Sequence, residues 1–185
     1  MASLVLSGNT SGSITISSPS VSGSNTLTLP ANTGTIITTG STFAGTGPAF
    51  SAYQSTDQTG LTSNTYTKCN FQTEEYDTNN NFASSTFTPT VAGYYQINWA
   101  ADLLATGGGT GFIAALYKNG SIYKASSGLF AGSATEVECT GSTVVYMNGS
   151  SDYLDIYVRI VGGSARQTFS QQPYTFFNGS MIRSA

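Results

Sequence analysis

The sequence contains no histidine, and this absence excludes several kinds of chemistry. Without an imidazole, the chain has no ordinary nucleophile–base triad. A zinc site would need an unusual ligand set, because the two cysteines, Cys69 and Cys139, cannot complete one by themselves. We therefore predict no metal and no cofactor.

Charged residues are also scarce, at 8% of the chain, and the net charge is −3. The six basic residues are spread between Lys68 and Arg183 without a cluster, which argues against a nucleic-acid partner bound through its phosphates. No apolar run approaches the length of a membrane span. The start, MASLVLSGNTSG, lacks the basic and apolar regions of a secretory signal, so assembly in the cytoplasm is expected. Without export, buried free thiols are favoured over a disulfide between Cys69 and Cys139.

The chain is instead rich in glycine, serine, threonine and asparagine, and 12% of its residues are aromatic. Ser, Thr and Asn compete for backbone hydrogen bonds, and glycine is entropically costly in helices, so long helices are disfavoured. The same residues suit strands and tight turns. The aromatic content is high enough to form a core. The composition therefore predicts an all-β protein.

The chain divides into an N-terminal segment, residues 1–47, and a head, residues 48–185. Up to residue 45, Phe43 is the only aromatic residue. Three β-like pieces in this segment stand at 13–16, 25–30 and 34–37. The segment has too little apolar area to offset an ordering cost of about 1–2 kcal/mol per residue. It must be disordered, or pack against its own copies or a larger body, which suits an anchoring or trimer-entry role.

The head contains many short strands at regular spacing, which is typical of a β-sandwich or barrel. In AALYKNGSIYKAS, the pair Asn119-Gly120 predicts a type I′ hairpin turn, because both central residues of that turn need positive φ. The expected register places Lys118 opposite Ser121, Tyr117 opposite Ile122, and Leu116 opposite Tyr123.

A second Asn-Gly turn lies in VVYMNGSSDYLDIYV, between two segments of alternating polarity. The apolar residues predicted to be buried are Val145, Met147, Leu154, Ile156 and Val158. The polar residues predicted to face away from the core are Asp152, Asp155 and Arg159.

Carboxylate pairs are the remaining candidates for catalysis, since glycosidases need two carboxylates facing one cleft. Glu74 and Glu75 are sequence neighbours on a strand end and point to opposite faces. Glu136 and Glu138 share a face, but it is predicted to be the outer one, where acidic residues are usually solvated. Gly107–Gly109 lacks the lysine and helix of a phosphate loop. The chain is therefore predicted not to be an enzyme.

Tyrosine and asparagine side chains in the loops allow two interpretations. They can form a sugar-binding platform, with aromatic rings stacked on sugar faces and amides bonded to hydroxyls. Equally, the tyrosines can cap the core and leave only their polar tips in water. The sequence does not decide between these alternatives, and the ligand-binding residues are unknown at this stage.

The stretch FASSTFTPTVAGYYQINW resembles the globular head of complement component one, subcomponent q. Phe87, Pro89, Gly93 and Tyr95 match the motif of that family, and Ile97 stands where Phe is usual. Further motifs follow the family's order along the head. These are Asn70, Tyr76 and Asp77 before the stretch, Phe82 at its first position, and Asp152, Phe177 and Gly179 after it.

This resemblance implies a ten-stranded antiparallel jelly-roll sandwich that associates as a homotrimer, as in the tumour-necrosis-factor family. The stretch from Phe87 to Trp99 is expected to form one spine strand. A surplus of aromatic residues is expected to need an interface beyond one sandwich. This set is Tyr94, Trp99, Tyr123, Phe130, Phe169 and Phe176.

The N-terminal segment has a resemblance of its own. SGSITISSPSVSGSNTLTLPANTGTII is similar to a segment that recurs in bacteriophage tail fibres, most closely at 24–35. This similarity implies a virion surface protein that is anchored to another virion protein and contacts a host-surface glycan or protein. A capsid decoration or head-fibre protein is the alternative, since it stabilises a shell without receptor binding. A carbohydrate hydrolase that uses Glu136 or Glu138 is a third hypothesis.

Overall fold

The computed structural model describes residues 3–7, 9–17, 20–21, 23–24, 26, 47–106, 109–129, 136–162, 165–168, 170 and 174–185. Every regular element within these ranges is a β-strand, as the composition predicts. The chain forms two compact units, Met1–Thr38 and Thr39–Ala185. No helix in the described ranges has the length and apolarity needed to cross a membrane.

The described residues of the smaller unit form one antiparallel hairpin. Strand β1 (Ser3–Ser7) pairs with β2 (Ser13–Ser17), so that Leu4 lies opposite Ile16. The predicted piece at 13–16 is therefore a strand, and β1 is a partner that the sequence did not predict. The other two predicted pieces, 25–30 and 34–37, lie almost entirely outside the described residues.

The larger unit contains the remaining strands, which are listed here in chain order. They are β3 (Ala49–Tyr53), β4 (Gln58–Thr59), β5 (Thr67–Lys68), β6 (Thr73–Asp77), β7 (Phe82–Ala83), β8 (Thr86–Phe87), β9 (Gly93–Thr106), β10 (Gly109–Lys118), β11 (Ser121–Leu129), β12 (Glu136–Met147), β13 (Leu154–Gly162), β14 (Ala165–Thr168) and β15 (Phe176–Ser184). Thirteen segments thus stand in the described part of the head, where the resemblance implies ten strands. The count is higher because turns separate short ladders such as β7 and β8.

These strands form two antiparallel sheets. Sheet I has the order β11-β10-β13-β8-β7, and β5 also pairs with β13. Sheet II has the order β4-β14-β9-β15-β3-β6, and β12 pairs with β9. Consecutive strands β11, β12 and β13 alternate between the two sheets, so the chain crosses the sandwich repeatedly. The predicted antiparallel sandwich is confirmed.

A single hydrophobic core lies between the sheets, because alternate residues of each strand point inward. On β9, the inward residues Tyr95, Ile97 and Trp99 are buried. The predicted apolar residues of β12 and β13 are buried as well. This second set is Val145, Met147, Leu154, Ile156 and Val158.

The expectation of one spine strand from Phe87 to Trp99 is wrong. Phe87 belongs to β8 in sheet I, whereas Trp99 belongs to β9 in sheet II. The residues between these strands carry the chain from one sheet to the other. Both strands still contribute to the same core, because Phe87 and Tyr95 contact each other edge to face, with ring centroids 5.6 Å apart.

The hairpin turn at Asn119-Gly120 is confirmed, with φ values of 52° and 78°. Lys118 lies opposite Ser121 and Tyr117 opposite Ile122, as predicted. The third predicted pair is wrong, because a register shift between Leu116 and Tyr117 places Leu116 opposite Lys124 instead of Tyr123.

Candidate functional site: the outer faces of the sandwich

The aromatic residues of the head motif lie in the core and not on a surface. The ring of Phe87 stacks on that of Phe50 at 4.2 Å, and Phe177 meets Phe50 edge to face at 4.8 Å. Tyr95 donates a hydrogen bond from its hydroxyl to the Val91 carbonyl at 2.7 Å, and burial raises the pKa of Tyr95 to about 12. These residues join the two sheets and are not available to a ligand.

The glycines of the motif permit close packing between strands. A Cβ at Gly93 would lie 2.5 Å from the Arg183 carbonyl oxygen. A Cβ at Gly179 would lie 2.5 Å from Cδ1 of Ile97 and 2.9 Å from the Gln96 carbonyl oxygen. Pro89 is buried in the connection between β8 and β9. The motif thus specifies how the core is assembled.

Asp152 connects two turns at one end of the sandwich. Its carboxylate accepts hydrogen bonds from the Asn119 side-chain amide at 2.7 Å and from the Asn148 backbone at 3.0 Å. Lys118 lies 2.9 Å away as its ion-pair partner. The Lys118 hydrogen bond, with those from Asn119 and Asn148, lowers the pKa of Asp152. The prediction that Asp152 and Asp155 are solvated is wrong, since each is buried against a lysine.

The outward side of sheet II carries exposed aromatic and aliphatic side chains. Tyr94 on β9 and Tyr146 on β12 are directly opposite in register, each is 42% exposed, and their ring centroids lie 5.4 Å apart. Val144, on the same side of β12, is 44% exposed. We call Tyr94, Gln96, Ser142, Val144 and Tyr146 the sheet II face. Large apolar side chains exposed side by side are characteristic of an interaction surface.

A row of hydrogen-bonded polar side chains crosses the same side of the sheet. Asn98 donates to the Asn178 side-chain oxygen at 3.0 Å and accepts from the Ser142 hydroxyl at 2.8 Å. Gln96 donates to the Ser142 hydroxyl at 2.7 Å. Because these side chains bond to one another, a partner that covers them leaves fewer polar groups unpaired than it would on isolated amides.

Three carboxylates come together further along this side. Glu138 lies opposite Asp102 in register, and Glu136 lies opposite Leu104. Both glutamates are exposed, as predicted, whereas Asp102 is only 2% exposed. Burial, followed by a hydrogen bond with Glu136, raises the pKa of Asp102 from 3.8 to about 7. The sequence analysis did not associate Asp102 with Glu136 and Glu138, because only the pairing of β9 with β12 brings them together.

The outward side of sheet I carries a group of tyrosines, which the sequence analysis also missed. The ring centroids of Tyr117 and Tyr157 lie 4.1 Å apart, and Tyr66 contacts Tyr117 at 5.8 Å. The Arg159 guanidinium lies over the Tyr66 ring, 5.6 Å from its centroid. We call Tyr66, Tyr117, Tyr157 and Arg159 the tyrosine platform. Alternation along β13 correctly placed Arg159 away from the core.

The remaining candidate residues do not form a reactive site. Cys69 and Cys139 are free and buried, and burial raises the pKa of their thiols to about 12 and about 11. Glu74 and Glu75 are both exposed, and Glu75 accepts a hydrogen bond from Ser51 at 2.6 Å. Across the residues that the structure describes, no group of three or more His, Cys, Asp or Glu side chains is able to hold a metal ion.

Four of the six aromatic residues predicted to need a further interface lie in the described part of the chain. Three of these are exposed or half-buried, and the fourth is buried. Tyr94 and Tyr123 are exposed and Phe176 is half-buried. Trp99 is buried within its own sandwich, which corrects that prediction. The ring of Trp99 occupies the space over Gly141 on β12, where a Cβ would lie 2.0 Å from it. Phe130 and Phe169 lie outside the described residues.

No family profile and no curated protein sequence matches this chain. Solved structures do resemble it. Eiger, a TNF protein from S. frugiperda, has a TM-score of 0.59 at 10% identity, covering 75% of this chain and 95% of that one. Murine APRIL at pH 5.0 has a TM-score of 0.55 at 10% identity, covering 74% and 99%. At these identities the similarity shows the fold alone, and it confirms a jelly-roll sandwich like that of tumour necrosis factor.

Proposed function

We propose that this chain is a homotrimeric surface protein of a bacteriophage particle. The N-terminal segment attaches it to another virion protein. The jelly-roll head projects from the particle and contacts a host-surface glycan or protein. In this role the chain acts by binding and not by catalysis.

The observation that carries self-association is the sheet II face. Tyr94, Val144 and Tyr146 are each more than 40% exposed and adjoin a polar row whose side chains are hydrogen-bonded to one another. Burying such side chains removes apolar area from water, at about 25 cal/mol per Å². The motif resemblance to the complement-q head supports three copies as the number that meet.

The observations that support attachment lie in the smaller unit. In the β1–β2 hairpin, apolar side chains on both strands are exposed, including Leu4 at 58% and Ile16 at 49%. A two-stranded hairpin is marginally stable by itself and gains stability when its apolar residues are covered. The resemblance to tail fibres at 24–35 supports another virion protein as the partner that covers these apolar residues. Almost all of residues 24–35 lie outside the described ranges.

Sedimentation of the full chain tests self-association. We expect the wild type to sediment as a trimer and Tyr146→Arg to sediment as a monomer, because an arginine in each copy adds charge that the interface cannot pair. The matched control is Tyr123→Arg, at an exposed tyrosine on β11 of sheet I. The sequence placed Tyr123 among the residues that need an interface, but in this proposal it lies outside the sheet II face. The control should stay trimeric. A trimeric Tyr146→Arg protein would show that another surface joins the copies.

The location on the particle separates adsorption from capsid decoration. Labelled antibody against the head should mark the tail, or fibres, of an intact particle if the head contacts the host. Label spread over the capsid would favour the decoration role. A particle fraction with no label at all would contradict a virion role of either kind.

A further inference from the structure

The tyrosine platform surrounds one small residue, Ala115. Ala115 is opposite Tyr157 in register and lies on the outward side of sheet I, yet it is completely buried. The larger side chains around it, Tyr117 and Tyr157, are only half-buried. Their ring centroids lie 4.1 Å apart and their planes are tilted by 31°, so the two rings stack on each other as a pair. Rings with apolar faces and polar tips are suited to a ligand that is itself partly apolar and partly polar.

Arg159 adds a positive charge at the edge of these rings. Neither ion pair among the described residues includes it, and its Nε is buried without a hydrogen-bond partner there. Its contact with the platform is the Tyr66 ring beneath the guanidinium. An arginine held over an aromatic ring keeps its planar donors free for a carboxylate or phosphate.

A network of fixed polar side chains borders the rings on the other side. Lys68 is opposite Tyr157 in register and lies 2.7 Å from the Asp155 carboxylate. Thr86 donates its hydroxyl to that carboxylate, also at 2.7 Å. Lys68, Asp155 and Arg159 together carry one excess positive charge, on a chain whose net charge is −3. The platform therefore favours an anionic ligand over a cationic one.

We propose that the tyrosine platform binds a saccharide that carries a carboxylate or phosphate group. The sugar ring packs against the exposed side of the stacked Tyr117–Tyr157 pair, its hydroxyls reach Lys68 and Thr86, and its anionic group pairs with Arg159. This inference rests on the proposed host contact, for which it assigns the surface and the ligand class. It does not depend on the location of the protein in the particle.

Calorimetry with the full chain tests the assignment with three defined probes. Polygalacturonate fragments carry carboxylates, phosphorylated dextran fragments carry phosphates, and unmodified dextran fragments of matched length are neutral. We expect one or both anionic probes to bind at least about tenfold more tightly than dextran, because charge-assisted hydrogen bonds to arginine are strong. The comparison of the two anionic probes identifies which group the platform prefers.

Two variants and one control locate the site. Arg159→Gln should reduce the ratio of the affinity for the anionic probe to the affinity for dextran about tenfold. Tyr157→Ala should weaken binding of the preferred probe about fivefold to tenfold. The control is Tyr123→Ala, which removes an exposed tyrosine that also lies beside a cation, with Lys124 5.5 Å from its ring centroid. The control should bind as the wild type does. Circular dichroism must show unchanged folding in all three variants.

The inference is overturned if neither anionic probe binds better than dextran. It is also overturned if Arg159→Gln and Tyr157→Ala bind as tightly as the wild type, since the ligand would then occupy another surface. If the protein is trimeric and the antibody finds it on phage particles, but these binding tests fail, then the proposed function stands and this site is wrong. If the protein is a monomer and still binds the anionic probe, then the site stands and the proposed trimer is wrong.

Discussion

The Asn119 side-chain amide donates a 2.7 Å hydrogen bond to the Asp152 carboxylate, and the Asn119 side-chain oxygen accepts one from the Tyr153 backbone at 2.9 Å. The turn between β10 and β11 is thereby held to the turn before β13. The two residues are 33 positions apart in sequence. A turn that looks local in sequence is therefore also a tertiary contact.

We predict that Asp152→Asn destabilises the head by about 1–3 kcal/mol at neutral pH, because the Lys118 ammonium loses its carboxylate partner and keeps only the Tyr146 carbonyl. The folded pKa of Asp152 is lowered below 3.8, so its stabilising contribution is present above that pH. The contribution is lost as pH falls through the lower, folded value. Urea unfolding at pH 7 and at pH 2.5 measures the free energy of unfolding of each protein. The difference in this free energy between wild type and variant should be smaller at pH 2.5. A difference that is equal at both pH values would contradict the assigned ion pair.

Asp102 should have the opposite pH dependence. Its folded pKa is raised from 3.8 to about 7, so its protonated form favours the fold. This contribution is complete below 3.8 and is lost as pH rises through about 7, at up to about 1.4 kcal/mol per pH unit within that window. We expect Asp102→Asn to be more stable than the wild type at pH 8 and to show a flatter profile between pH 4 and pH 7. The control Glu138→Gln, at an exposed position, should change the profile much less; an identical effect would contradict the role of burial.

We predict that Gly93→Ala destabilises the head by about 1–3 kcal/mol, because the added Cβ would lie 2.5 Å from the Arg183 carbonyl oxygen. The matched control is Gly111→Ala on β10, where the nearest atom would be at 3.5 Å, an ordinary contact. We expect that control to change the unfolding free energy by less than about 1 kcal/mol. Thermal unfolding compares the two. Equal stability of both variants would contradict the close approach of β9 to β15.

Neither cysteine should react with a thiol reagent at pH 8 in the folded protein. Burial raises the pKa of Cys69 to about 12 and that of Cys139 to about 11, so the reactive thiolate is rare. Both thiols should react once the chain is unfolded in guanidinium. Fast reaction of one thiol in the folded protein would show that it is exposed. Failure of both to react after unfolding without reductant would indicate a disulfide.

Local patterns predicted the inward residues of single strands well. Alternation identified Leu154, Ile156 and Val158 as buried, and Asn119-Gly120 identified its own turn. Each of these depends on neighbours within a few residues along the chain. The assignment of Phe87 to the same strand as Trp99 was wrong. Proline and glycine mark a break in the chain, but they do not show whether the chain then stays in one sheet or crosses to the other.

Relationships between distant segments could not be predicted from the sequence. Trp99 is buried because β12 supplies Gly141 directly opposite it. The register shift beside Leu116 has no local marker. The tyrosine platform combines Tyr66 and Tyr117, which lie far apart in sequence, and Asp102 gains its raised pKa only when β12 brings Glu136 beside it. Sheet pairing, and not residue type, creates these features.

The central claim is that the jelly-roll head by itself joins three copies through the sheet II face. Sedimentation equilibrium of a chain that starts at residue 46, at micromolar concentration in neutral buffer, tests it most directly. We predict a species of three chains, as for residues 1–185, for which one chain has a mass of 19.2 kDa. A folded head that sediments as a single chain under these conditions would contradict the claim.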